Sequence, residues 1–140
     1  MIFDIEERKA VKFNLPDGGW VELKNPDVDD YLKIRNVCIE NKPFLVEKKD
    51  EKGNDLPPRV FNHPIVDEIK QAVMLNDVSI INWGGIFNKD KKEIPCTLEN
   101  KTMLMQKSRA FRDFVNEKLE VLRKAEEGEE KEAEKNSLPG

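Results

Sequence analysis

Imidazole and thiol chemistry have little to work with in this chain: 140 residues hold one histidine, His63, and two cysteines, Cys38 and Cys96. His63 stands ahead of a proline and reads as an ordinary cap or surface residue. The three side chains also lack the close ligand pairs that make zinc motifs recognisable. Two thiols outside any dense cysteine pattern are expected to stay reduced. There is no glycine-rich phosphate loop, no G-x-S-x-G elbow and no H-E-x-x-H. The carboxylates lie scattered among lysines, a pattern of solvated surface rather than of a catalytic pair. No catalytic residue, cofactor or metal site is assigned, and a non-enzymatic role is expected.

Long apolar runs are missing as well. The first nine residues carry no stretch that would serve as a signal sequence, and no segment approaches the ~20 apolar residues of a membrane span. A soluble, intracellular protein with no membrane partner is expected. A basic stripe is also absent. Formal charge is -4, and residues 126–135 supply all of it with six Glu against two Lys, leaving 22 acids and 22 bases elsewhere. A pI near 5.2 argues against a surface built to neutralise phosphates, so nucleic acid is not expected as a partner. With 38% apolar and 37% charged residues, the chain has material for one domain with a modest core.

The residues that are present organise into recognisable elements. Val11, Phe13 and Leu15 alternate into Pro16-Asp17-Gly18-Gly19, and Trp20, Val21 and Leu23 alternate out, which predicts a β-hairpin over 10–24. Asn25-Pro26-Asp27 reads as a cap with proline at the first helical position, predicting a helix over 26–40 that buries Val28, Tyr31, Leu32, Arg35 and Cys38 or Ile39. Residues 41–62 fit either a loop or a second hairpin around Lys52-Gly53-Asn54. A second helix over 64–78 is expected to start at Pro64 and to turn Ile65, Ile69, Ala72, Val73 and Asn76 inward. Residues 79–96 read as a turn. Thr97 supplies the cap of a third helix over 97–125, and 126–140 reads as an acidic, disordered tail. The fold class expected is α+β, mainly helical, with about three helices and an N-terminal hairpin.

The third helix carries the functional argument. Leu104, Ser108, Phe111, Val115, Leu119 and Leu122 share one seam at 100° per residue, and Met103, Ala110, Phe114 and Val121 form a second stripe. Both stripes fit one wide core face, with the stems of Lys107 and Lys118 lying along it. The sharper reading sends the first stripe inward and leaves Met103, Phe114 and Val121 to receive a partner helix. Trp20 and Trp83, each beside a glycine pair, read as plugs in the core, and the glycine pairs as flexible turn residues.

The chain resembles the tail assembly chaperones of long-tailed bacteriophages and prophages. The likeness rests on Gly18-Gly19-Trp20-Val21, on Ile81-Asn82-Trp83 with Gly85-Ile86, and on Ile94-Pro95-Cys96-Thr97-Leu98-Glu99-Asn100-Lys101 followed by Phe111 and Phe114-Val115, across roughly residues 15–122. The family tends to show an acidic residue beside the tryptophan, where this chain has Asn82 and Gly84, and a shorter central linker. The resemblance implies a cytoplasmic helper in the bacterial host that binds the tape-measure protein, or another tail component, and keeps it soluble until the tail tube polymerises. It transfers no catalytic residue and leaves a homo-oligomer open. Two alternatives stand beside it: a minor structural or connector protein of the tail, and a small prophage DNA-binding regulator.

Overall fold

The computed structural model describes residues 8–137. In chain order they form β1 (Val11–Asn14), β2 (Trp20–Leu23), α1 (Val28–Cys38), β3 (Ile39–Val46), β4 (Arg59–Val66), α2 (Glu68–Ser79), β5 (Ile80–Gly84), α3 (Leu98–Lys107) and α4 (Arg109–Ser137). Two antiparallel sheets, β1-β2-β5 and β3-β4, stand with four helices in an α+β fold.

The first hairpin forms where alternation predicts it, with Val11 opposite Leu23 and Phe13 opposite Val21. Its turn closes through Leu15 N–H to Gly19 O (2.7 Å), and Gly18 takes φ 98°, the left-handed region that glycine enters without a Cβ clash. β5 adds to the other edge of β2, setting Trp83 against Val21 and Ile80 against Leu23. This strand takes the first part of the turn expected over 79–96, and the reversal itself follows Gly84. Ile80 and Ile81 are strong strand formers, but a short run that ends on the first of two glycines shows its pairing partner only after the chain has folded. The inward row Val21, Leu23, Ile80 and Trp83 is buried with Met105, Phe111, Val115 and Leu122 in one core. Each such side chain is worth about 1.5–3 kcal/mol in transfer from water.

Several boundaries move for identifiable reasons. α1 starts one residue after Asp27, which accepts from Asp30 N–H (2.8 Å) while the Asp30 carboxylate accepts from Asp27 N–H (3.1 Å), a reciprocal box that outcompetes the Asn25-Pro26 start. Asn25 Nδ2 instead donates to Leu119 O (3.2 Å), tying the loop to α4. Ile34 and Cys38 are the buried residues of α1, whereas Val28 and Leu32 of the expected face lie exposed. His63 and Pro64 belong to β4, and α2 begins after its own cap, Asp67, which accepts from Lys70 N–H (3.1 Å). α2 also turns differently, leaving Ile69 75% exposed while Cys38 of α1 meets Met74. Apolar residues sit all around this helix, so periodicity alone does not choose its face.

The expected third helix is two helices. At Ser108 the backbone turns extended (φ -104°, ψ 104°), and Ser108 Oγ accepts from Phe111 N–H (3.2 Å), so one serine ends α3 and caps α4. Thr97 caps α3 as read, accepting from Asn100 N–H (3.2 Å). Nζ of the buried Lys101 donates to Asp77 Oδ1 (3.0 Å) and Asp77 O (3.2 Å), joining α3 to the C-terminal end of α2. α4 runs on to Ser137 instead of ending near 125. Glu, Lys and Ala are good helix formers, and Arg123 bridges Glu120 and Glu127 on the solvent side. Residues 138–140 of the expected tail lie outside the described residues.

Candidate functional site: an apolar groove at the helix break

The break at Ser108 opens a groove of about 500 Å³ between the first hairpin, the segment after β5 and the α3–α4 corner. Leu15, Pro16 and Gly19 form one wall, and Gly85, Ile86, Phe87 and Ile94 form a second. Leu104, Ser108, Ala110, Phe111 and Phe114 line the helical side. Asp17 is the single titratable residue among the described residues lining it. Phe87, on the second wall, is 58% exposed.

Two backbone features hold the walls in place. The two glycine pairs press against each other: a Cβ on Gly19 would sit 2.7 Å from Gly85 O and 2.9 Å from Gly84 O, and a Cβ on Gly84 would sit 2.6 Å from Trp20 Nε1. Close approach, rather than turn flexibility, therefore accounts for glycine at positions 19 and 84. The segment leaving Gly85 is a tight reversal in which Ile94 N–H donates to Ile86 O (2.8 Å), and Asn88 Oδ1 accepts from Asp90 N–H (2.9 Å) and Lys92 N–H (3.1 Å). Glu93 Oε1 accepts from Gly85 N–H (3.1 Å), closing the loop back on the glycine.

Trp83 fixes the floor. Its Nε1 donates to Ile94 O (2.7 Å), and its ring meets Phe111 edge to face, centroids 5.7 Å apart. Trp20 behaves otherwise. It projects from the opposite face of the sheet, lies over Gly84 and carries the Lys12 ammonium 4.0 Å above its ring, so only one of the two tryptophans is a core plug.

Of the three proposed contact residues, Phe114 lines the groove beside Phe111 and Leu104, with Lys118 Nζ 5.5 Å from its ring centroid. Met103 on α3 and Val121 on α4 are exposed but stand outside the lining. The groove does not bring the three together: the break at Ser108 puts Met103 on another helix, and Val121 lies about two turns beyond Phe114 along α4. Leu15, Pro16, Ile86, Phe87 and Ile94 were missed. Ile86-Phe87 and Ile94 flanking a charged reversal were the available signal.

The reactive residue types are dispersed. His63 lies edge-on to Phe44 with centroids 6.0 Å apart, Cys38 Sγ lies 3.8 Å from Met74 Sδ, and both cysteines are free. Burial pushes the Cys96 thiol above its ordinary range, with the Lys101 charge opposing. Among the described residues no group of His, Cys, Asp and Glu is placed to hold a metal, and no helix is long and apolar enough to cross a membrane. Fold and groove together define an α+β domain with a largely apolar cleft. No family model, curated protein or solved structure matches the chain.

Proposed function

We propose that this protein is a non-enzymatic tail assembly chaperone of a long-tailed phage or prophage. In this reading it works in the bacterial cytoplasm, binding the tape-measure protein and shielding its apolar helical stripes until tube subunits polymerise. The observation that carries the reading is the groove: an apolar channel with one titratable lining residue and an exposed phenylalanine at its rim suits the apolar ridge of an amphipathic helix. Its rigid walls support the same reading, since a preformed cleft loses little conformational entropy on binding.

Co-expression with the tape-measure protein tests it. Wild type is expected to co-purify with that protein and keep it in the soluble fraction. Phe87→Asp and Phe114→Asp are each expected to weaken capture by about 30-fold, the effect of losing one buried aromatic anchor of about 2 kcal/mol. Phe111 belongs to the core as well as to the groove, so Phe111→Asp should lower the unfolding midpoint most, and the midpoints of Phe87→Asp and Phe114→Asp measured beside it separate lost capture from lost folding. Capture that survives both groove substitutions would sink the proposal.

A further inference from the structure

The reversal that forms the second wall of the groove holds, among the described residues, the one residue other than glycine with a positive φ. Lys91 sits at φ 60°, fixed by its own N–H donating to Asn88 O (3.0 Å) and by Asn88 Oδ1 accepting from the next amide, Lys92 N–H, at 3.1 Å. Glycine and asparagine occupy this left-handed region at lower cost than lysine. Lys91 is exposed, so packing does not account for a lysine at this position.

Lys91 has company. Lys89 and Lys92 share its reversal, between the lining residues Phe87 and Ile94, and both are exposed. No carboxylate among the described residues forms an ion pair with any of the three ammonium groups. Of the two acids in the reversal, Glu93 is engaged by Gly85 N–H, which leaves Asp90 alone beside three cations. Elsewhere around the mouth the charges offset one another. Lys107 at the corner and Lys118 beyond Phe114 stand against Asp17 on the first wall and Glu117 on the outer side of α4, and Arg109 pairs with Asp113 at 3.7 Å. The basic edge of the groove is therefore local to the reversal, in a chain whose net charge is -4.

Resting on the reading of the groove as a helix receptor, we infer that the helix it takes is acidic along one flank, the flank that lies against Lys89, Lys91 and Lys92. An apolar ridge fills the floor beside Phe111 and Phe114, and glutamate or aspartate at the edge of that ridge meets the unpaired ammonium groups. A phosphate chain would gain from the lysines but nothing from the apolar floor. The chain's own acidic segment, 126–135, has the charge but offers the floor only the methyl group of Ala133. Both halves of the description, ridge and flank, are needed.

Titration of the full chain with two synthetic helical peptides tests this. The peptides share one leucine ridge, and the flanks of that ridge carry glutamate in one and lysine in the other. The glutamate peptide should bind about tenfold more tightly at low salt, and the preference should fade in about 1 M salt, where the screening length is about 3 Å. Lys89→Glu combined with Lys92→Glu should abolish or reverse the preference. Lys91→Gly should weaken the glutamate peptide about threefold without lowering the unfolding midpoint, because glycine holds φ 60° without strain. Phe87→Asp should weaken both peptides alike. Equal binding of the two peptides, a preference that survives the double reversal, or a Lys91→Gly variant that binds as wild type does would overturn the inference and leave the groove a helix receptor. Binding of neither peptide would overturn both.

Discussion

Gly19, Gly84, Gly85 and the two tryptophans show how much of this molecule is decided by single atoms. Gly18 and Gly84 differ in what a methyl group would meet: nothing lies within 4 Å at Gly18, whereas at Gly84 the Trp20 ring stands 2.6–2.9 Å away. Gly18→Ala is therefore expected to cost about 1 kcal/mol, from the left-handed backbone alone. Gly84→Ala should cost about 1–3 kcal/mol, because a flat ring wedged beside a backbone must move aside. Urea midpoints with unchanged m-values measure the difference, and equal costs would refute the close-packing account. A run of two glycines says that the chain bends or crowds there. Which of the two applies depends on another glycine pair some sixty residues away.

Caps decide more than periodicity at the scale of elements. Asp27, Asp67, Thr97 and Ser108 each satisfy an amide that a helix start leaves open, and where a cap was overlooked a boundary moved. Helical periodicity places Ser108 among the core-facing residues of one long helix. Its hydroxyl instead makes a corner, and that corner opens the groove. The Asp27 cap also has a pH signature. Accepting from the Asp30 backbone holds its carboxyl below the ordinary 3.8, which burial only partly opposes. Since the folded pKa is the lower one, its stabilisation is complete above the unfolded value and disappears as pH falls through the folded one. Helical signal near 222 nm should accordingly fall below pH ~4 in wild type, with the α1 contribution to that loss removed in Asp27→Ala. A variant that titrates like wild type would show that the cap contributes nothing.

The whole molecule divides into one core and the elements that extend beyond it. Among the described residues, those buried in the core run from Val21 to Leu122, so removing residues 128–140 should leave the unfolding midpoint within about 0.5 kcal/mol of wild type while reducing helical signal. A large loss of stability would place unrecognised packing on the end of α4. What could be read from the residues alone was local: the α+β class, the Pro16-Asp17-Gly18 hairpin, the Thr97 cap and the inward seam of Phe111, Val115 and Leu122. Each of these depends on interactions within a few residues or on one helical period. The pairing of β5 with β2, the buried faces of α1 and α2, the corner at Ser108 and the groove beside it were settled only in three dimensions. They depend on partners far along the chain, and a sequence with apolar residues on more than one side of a helix leaves that choice to whichever surface arrives to cover it.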